Sequence, residues 1–184
     1  MIIKTDLYLL VFTVAFDWFV FSFIVYSLLV RQNAYHSSLD ASNPIYSRDC
    51  DKEYFHYESI QVKVNTSGYY SFRSYSTTDA YGVIYRNTFN PLNPLENFLG
   101  MEDDGGSDLQ FRLNIRLSGG MTYVLVMTTY RLEETGTFSI VALGPNKVIF
   151  ERLSEYKHMF VLYSKYWTKS KVCSLNWTPS FIRP

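Results

Sequence analysis

Acidic residues in glycine-containing turns are the strongest candidates for chemistry in this chain. Asp103 and Asp104 belong to the run Glu102-Asp-Asp-Gly-Gly, and Asp79 belongs to an earlier turn. Calcium takes about six to eight oxygen ligands, several of them from carboxylates, on a loop that glycine makes permissive. We therefore interpret Asp79, Asp103 and Asp104 as a candidate calcium site. Asp-Gly is also the preferred composition of a plain tight turn, and that alternative stays open.

Two cysteines and two glycosylation sequons bear on covalent modification. Cys50 and Cys173 bracket the middle of the chain, and in an extracellular setting an even count indicates one bridge. The alternative is a pair of free thiols. Asn65-Thr-Ser and Asn176-Trp-Thr are acceptors for N-linked glycans if the chain enters the secretory pathway.

The sequence carries no recognisable catalytic motif. It has no Gly-x-Ser-x-Gly elbow, no His-Glu-x-x-His pair and no phosphate-binding loop. His36, His56 and His158 are scattered and have neither triad nor zinc spacing. We predict a protein that is not an enzyme and uses no cofactor other than the candidate calcium. Basic and acidic residues balance at 17 each, so no global charge favours nucleic acid as a partner.

The N-terminal part of the chain predicts a membrane segment. Residues 7–30 are almost continuously apolar, and this run exceeds the roughly 20 residues that span a bilayer as a helix. A cleavable signal has a shorter apolar core, of about 7–15 residues. We predict a signal anchor over residues 1–31, with a cleaved signal peptide as the alternative. Residues 32–50 are polar and are predicted to be a linker.

Residues 51–150 have the periodicity of β-strands. Ile60, Val62 and Val64 alternate with polar residues, and the turn 65–68 leads to the alternating 70–73, so the two segments are predicted to form a hairpin. Residues 81–85 form a third predicted strand, and residues 87–100 a long loop. Residues 111–117 alternate cleanly, and residues 123–127 are apolar on both faces, as in a central strand.

These segments give six or seven short strands, separated by glycine, proline and Asx turns, with no helical period between them. The expected fold is all-β, an antiparallel β-sandwich of the jelly-roll kind, preceded by the N-terminal hydrophobic helix. In the tail, residues 151–184, aromatic residues recur every three or four positions with lysines between them. A basic amphipathic helix at a membrane surface is one interpretation, and a solvated or packed extension is the other.

Five segments in order carry a family resemblance: Thr66-Ser-Gly-Tyr-Tyr-Ser-Phe, Asp79-Ala-Tyr-Gly-Val-Ile-Tyr, Asp103-Asp-Gly-Gly, Gly120-Met-Thr-Tyr-Val-Leu-Val and Gly136-Thr-Phe-Ser-Ile. Together they resemble the pre-peptidase C-terminal domain, and more closely a domain of uncharacterised extracellular animal proteins built on the same plan. The resemblance covers residues 57–144. It implies a jelly-roll-like sandwich, secreted or at the cell surface, that binds or targets rather than catalyses.

The expected function is that of a non-catalytic extracellular module, held at the membrane by residues 7–30 or secreted. Its partner is expected to be a surface carbohydrate or protein, contacted through exposed Tyr and Trp rings. One alternative is a structural spacer domain without a ligand. A less favoured alternative is a secreted hydrolase with an unrecognised site.

Overall fold

The computed structural model describes residues 31–48 and 53–153, and these residues form ten β-strands and no helix. All strand pairs are antiparallel, which confirms the all-β class. The strands are β1 (Arg31–Leu39), β2 (Ile45–Tyr46), β3 (Phe55–Val64), β4 (Gly68–Ser76), β5 (Ala80–Arg86), β6 (Phe98–Glu102), β7 (Arg112–Leu117), β8 (Thr122–Thr129), β9 (Gly136–Gly144) and β10 (Val148–Arg152).

The strands form a sandwich of two sheets. The front sheet has the order β1-β9-β4-β7, and the back sheet has the order β10-β3-β8-β5-β6, with the short β2 added beside β3. β8 lies at the centre of the back sheet, as its apolar sequence predicts. The predicted helix over residues 7–30 lies outside the described residues, as does the tail from residue 154. Within the described residues, no helix is long and apolar enough to cross a membrane.

The main core lies between the two sheets. It is formed by the inward-facing side chain of every second residue, and burying each large one stabilises the fold by roughly 1.5–3 kcal/mol. The back sheet contributes one set of buried apolar side chains, and the front sheet, together with the residue just before β7, contributes the facing set. The core includes Ile60, Val62, Ile84 and Leu125 of the back sheet, opposite Tyr70, Phe72, Phe111, Leu117, Phe138 and Ile140.

The predicted hairpin of β3 and β4 is wrong. β3 pairs with β8 and β10 in the back sheet, whereas β4 pairs with β7 and β9 in the front sheet. The turn at residues 65–67 therefore crosses from one sheet to the other. Alternation shows which side of a strand is buried, but it does not show which strand lies beside it. The inward side chains of β3 and β4 contribute to the same core from opposite sheets, and the two strands are not paired edge to edge.

The predicted linker over residues 32–50 is also wrong, because β1 occupies residues 31–39 and pairs along its whole length with β9. Two of the inward positions of β1 are polar, and hydrogen bonds satisfy them. The amide of Asn33 donates to the carbonyl of Val148 at 2.7 Å and accepts from its N–H at 3.2 Å. Ser37 donates to the buried carboxylate of Glu58 at 2.9 Å. Because these inward residues are polar, the segment lacks the alternation of apolar and polar residues from which a strand is predicted.

Glu58 joins the two sheets at this edge. Its side chain is 2% exposed and accepts a 2.5 Å hydrogen bond from the Tyr35 hydroxyl. Arg152 of β10 forms an ion pair with it at 2.9 Å. Burial, and then the bond to Glu58, raise the pKa of Tyr35 well above its ordinary value, so the phenol stays a donor.

The outer face of the back sheet is covered by the protein's own chain. Tyr57, Tyr85 and Val126 belong to a second buried cluster on this face. Phe89, in the predicted loop 87–100, lies over Tyr57 at a ring distance of 5.3 Å and over Tyr85 at 4.7 Å. The irregular part of that loop ends sooner than predicted, since β6 begins at residue 98. The front sheet has no such cover within the described residues.

Candidate functional site

The outer face of the front sheet carries two depressions and two exposed tyrosines, Tyr69 and Tyr75. The register places its outward side chains in cross-strand rows. Tyr75 lies beside Ser139, which lies beside His36. The neighbouring rows across β1, β9, β4 and β7 are Ala34–Val141–Arg73–Arg112 and Gln32–Leu143–Ser71–Asn114, and Tyr69 lies opposite Arg116.

This face is cationic. Arg73 and Arg112 stand directly opposite each other on β4 and β7, and Arg116 lies two rows further along β7. No Asp or Glu occupies an outward position of the front sheet, and no described carboxylate forms an ion pair with these arginines. Like charges directly opposite on neighbouring strands destabilise a sheet. The fold therefore maintains this unfavourable arrangement without an internal counter-charge.

Arg73 is held in place by its neighbours. Its Nη2 donates to the Ser107 hydroxyl at 2.9 Å, and its guanidinium lies 4.9 Å from the centre of the Tyr75 ring. Its Nε–H is buried and finds no acceptor in the described part of the chain. A fixed guanidinium beside an aromatic ring loses little entropy when it meets a ligand.

The loop that supplies Ser107 has an unusual backbone. Ser107, Asp108 and Leu109 have φ values of 71°, 54° and 59°, three consecutive residues in the left-handed region without a glycine. Each such residue costs roughly 1–2 kcal/mol. The Gln110 amide stabilises the loop by donating to the Ser76, Thr78 and Asp108 carbonyls. The strained loop thus adjoins the cationic end of the face.

Tyr75 separates two shallow depressions on this surface. One lies over Arg73, Arg112 and Asn114, with Ser71, Val141 and Leu143 completing its lining. The other lies over His36 and is rich in hydroxyl groups, from Ser76, Thr77, Thr137 and Ser139. Tyr75 lines both and is 47% exposed, and Tyr69 on the same face is 74% exposed. An amphipathic ring flanked by cations and hydroxyls is suited to a polar ligand with a flat face.

The predicted calcium residues lie near each other, but they do not form a ready metal site. Burial raises the pKa of Asp79, and Asp104, Glu134 and Asp103 raise it further, whereas Arg131 lowers it. Asp79 is therefore within electrostatic range of both predicted partners. The described residues nevertheless contain no group of three His, Cys, Asp or Glu placed to hold a metal ion. Calcium binding stays a prediction.

The acidic turn has internal uses for its carboxylates. Glu102 Oε1 accepts hydrogen bonds from the N–H groups of Asp103 and Gly105, at 3.3 and 3.2 Å. Asp103 Oδ1 accepts from the N–H of Asp104 at 2.8 Å. These bonds belong to the plain-turn interpretation, in which the acidic residues stabilise their own loop.

Asp79→Asn is expected to stabilise the protein in calcium-free buffer at neutral pH. The folded-state pKa of Asp79 lies above its unfolded value, so its ionised form destabilises the fold above that folded-state pKa. The penalty is relieved as the pH falls through the folded-state pKa. We expect a melting temperature about 2 °C higher than that of the wild type at pH 7, with the difference shrinking toward acid pH.

Asp108→Asn is the matched control for this comparison, because Asp108 is exposed in the neighbouring turn. It should leave the melting temperature unchanged. A lower melting temperature for Asp79→Asn in calcium-free buffer would contradict this electrostatic account. If millimolar calcium raises the melting temperature of the wild type but not of Asp79→Asn, the predicted calcium site gains direct support.

The remaining predicted sites divide between described and undescribed residues. Asn65 is exposed in the turn between β3 and β4, where a glycan would meet solvent. Cys50, Cys173 and Asn176 lie outside the described residues, so their bridge and glycan stay predictions. Sequence reasoning missed Arg73, Tyr75, Arg112 and Arg116 as a group. The alternation in residues 111–117 marked two of these arginines as outward, but the register of β4 against β7 was needed to assemble all four.

Comparison with known proteins does not assign this chain to a family. A scan against models of protein families finds no match, and a search of curated proteins finds no similar sequence. The resemblance to the pre-peptidase C-terminal domain therefore stays a prediction.

Proposed function

We propose that this protein is a non-catalytic binding module that takes a surface carbohydrate on the outer face of its front sheet. The observation that carries the proposal is the arrangement around Tyr75, an exposed ring between a cationic depression and a hydroxyl-rich one. Tyrosine presents an apolar face to a sugar ring, while neighbouring hydroxyl and amide groups exchange hydrogen bonds with sugar hydroxyls.

The contrast between the two sheets supports this choice of face. The apolar outer surface of the back sheet is covered by Tyr46 and Phe89 from the same chain. The front sheet instead presents mainly polar side chains to solvent, together with Tyr69, Tyr75 and Leu143. The described residues that line the two depressions include no carboxylate, whereas the usual glycosidase mechanism requires a pair of them. Binding without hydrolysis is the simpler role for such a surface.

The proposal also includes the finer fold and the location. Leaving aside β2 and β10, the strand orders are β1-β9-β4-β7 and β3-β8-β5-β6, with most connections crossing between the sheets. This connectivity supports a jelly roll of the pre-peptidase C-terminal kind. A cell-surface or secreted location is supported by the apolar run 7–30 and by the exposed sequon at Asn65.

The test is a glycan and protein array probed with the full chain and with two tyrosine variants. Tyr75→Ala should weaken binding of the recognised glycan about tenfold or more, because an exposed aromatic ring at the centre of a contact is a typical hot spot. Tyr54→Ala, at a residue 54% exposed outside the front sheet, should bind as the wild type does.

Each other outcome would overturn the proposal. A wild-type chain that binds no glycan would favour the spacer interpretation. Binding of protein probes alone would replace the carbohydrate by a protein partner. Equal weakening by both tyrosine variants would place the contact elsewhere.

A further inference from the structure

We infer that the ligand of the front sheet is an acidic polysaccharide, whose anionic groups bind Arg73, Arg112 and Arg116. This inference rests on the proposed function and narrows it to a chemical class. The acidic class of the ligand is inferred from the charge of the face, whereas carbohydrate binding in general is inferred from Tyr75 and the hydroxyl groups.

The charge distribution is the first line of support. Residues 32–150 contain nine basic and thirteen acidic side chains, so a cationic face is not a consequence of overall charge. Three of the nine basic residues nevertheless lie on the outer face of the front sheet, where no acidic residue is found. Positive charges gathered on one face of a segment that is acidic overall create a local positive potential, and this potential attracts anions.

The geometry of the arginines is the second line. Arg73 and Arg112 face each other across adjacent strands, where opposite Cβ atoms are about 4.5–5.5 Å apart. Like charges directly opposite each other destabilise the sheet, and an anion bound by both side chains would relieve that repulsion. Carboxylates and sulfates match the planar fork of guanidinium with two parallel hydrogen bonds. Arg116 extends the cationic row along β7, as a polymer with repeated charges requires.

The surroundings favour a carbohydrate over the other polyanions. Ser71 and Asn114 line the same depression as the arginines. The hydroxyl-rich depression lies on the other side of Tyr75. These hydroxyl and amide groups are suited to sugar hydroxyls. A membrane surface is normally met by an amphipathic element that inserts large apolar side chains. The exposed large apolar side chains of this face, Tyr69, Tyr75 and Leu143, lie in three separate cross-strand rows and form no continuous apolar stripe. The outward side chains of β7 are Arg112, Asn114 and Arg116.

The decisive variant is Arg112→Glu/Arg116→Glu in the full chain. Both residues are exposed and have no ion pair with a described carboxylate, so their reversal should not unfold the protein. Arg112→Glu places an acid opposite Arg73 and should maintain or raise the melting temperature. A merely structural role for these arginines would lower it.

The control is Arg86→Glu/Lys147→Glu, which changes the net charge by the same amount. Arg86 ends β5 in the back sheet, and Lys147 lies in the turn between β9 and β10. Both are exposed and lie off the front face. Any loss of binding that depends only on net charge will appear in this variant as well.

Binding is measured to immobilised heparin, a sulfated polysaccharide, to neutral dextran, to phosphatidylserine vesicles and to single-stranded DNA. We expect the wild type to bind heparin in preference to the other three probes. The front-face variant should weaken heparin binding about tenfold or more, and the control variant should do so much less. Heparin binding should also weaken steeply with salt, because the Debye length falls from about 10 Å at 0.1 M to about 3 Å at 1 M.

The contrary outcomes separate this inference from the function on which it rests. Binding to dextran, or to an array glycan without charge, that depends on Tyr75 but not on Arg112 and Arg116 would overturn the inference alone. Tighter binding to vesicles or DNA than to heparin would overturn it in favour of that polyanion. Absence of binding to any glycan would overturn both.

Discussion

Gly144→Ala is expected to lower the free energy of unfolding by about 3 kcal/mol. A Cβ atom at Gly144 would lie 2.1 Å from Cδ1 and 2.3 Å from Cε1 of Tyr70, far inside contact distance. Tyr70 is 1% exposed, and its hydroxyl donates to the Thr66 carbonyl at 2.8 Å, so the ring cannot swing away without breaking that bond. Urea unfolding followed by circular dichroism measures the change.

Gly100→Ala is the matched control, because an added Cβ there meets no atom of the described residues within 4 Å. It should leave stability unchanged or raise it slightly, since alanine restricts the unfolded chain. Tyr70→Leu combined with Gly144→Ala should cost less than the sum of the single changes, because the smaller side chain relieves the overlap. If Gly144→Ala were as stable as Gly100→Ala, the close packing of Tyr70 on β9 would be disproved.

Phe89→Ala is expected to cost about 2–3 kcal/mol, somewhat less than a fully buried phenylalanine because Phe89 is half-buried. Its ring contacts Tyr46 and Tyr57 edge-on at 5.3 Å, and Tyr85 at 4.7 Å. Such aromatic pairs contribute roughly 0.5–1.5 kcal/mol beyond the area that they bury. The variant should unfold at lower urea concentration and should still bind the glycan, because the proposed ligand surface lies on the other sheet.

Leu92→Ala provides the control in the same loop, since Leu92 is 40% exposed. It should cost well under 1 kcal/mol, as typical surface substitutions do. Equal costs for the two variants would mean that the loop over the back sheet is held by something other than Phe89. Loss of glycan binding in Phe89→Ala, with stability intact, would move the ligand surface to the back sheet.

The strands that sequence predicted best are those whose inward positions are all apolar. Residues 111–117 and 123–127 became β7 and β8 with the expected buried sides. β1 was not predicted because its inward residues Asn33 and Ser37 are polar. In the structure they form hydrogen bonds with Val148 and Glu58. Only the three-dimensional partner shows that a polar residue is buried and paired. The same limit explains the false hairpin, since β4 finds its neighbours β7 and β9 about 40 or more residues later.

The candidate site illustrates a related limit. The acidic turn was conspicuous in sequence because its residues are adjacent, yet it forms no ready metal site among the described residues. The cationic face was inconspicuous because Arg73 and Arg112 come from different strands. Inspection of a sequence finds residues that are close along the chain, whereas neighbouring residues on the surface of a sheet come from different strands. The strand register that places Arg73 opposite Arg112 could not be predicted from the sequence.

The central claim is that the outer face of the front sheet is the ligand surface, and hydroxyl-radical footprinting of tyrosines tests it most directly. Among residues 31–48 and 53–153, four tyrosines are about half exposed or more. Tyr69 and Tyr75 lie on the claimed face, whereas Tyr54 precedes β3 and Tyr130 follows β8 in the back sheet. All four should be oxidised in the free protein, which gives the experiment its internal controls.

Adding the glycan that the wild-type chain binds most tightly should protect Tyr75, and to a smaller extent Tyr69, from oxidation. Tyr54 and Tyr130 should react as in the free protein. Protection of Tyr54 or Tyr130 while Tyr75 stays reactive would contradict the claim.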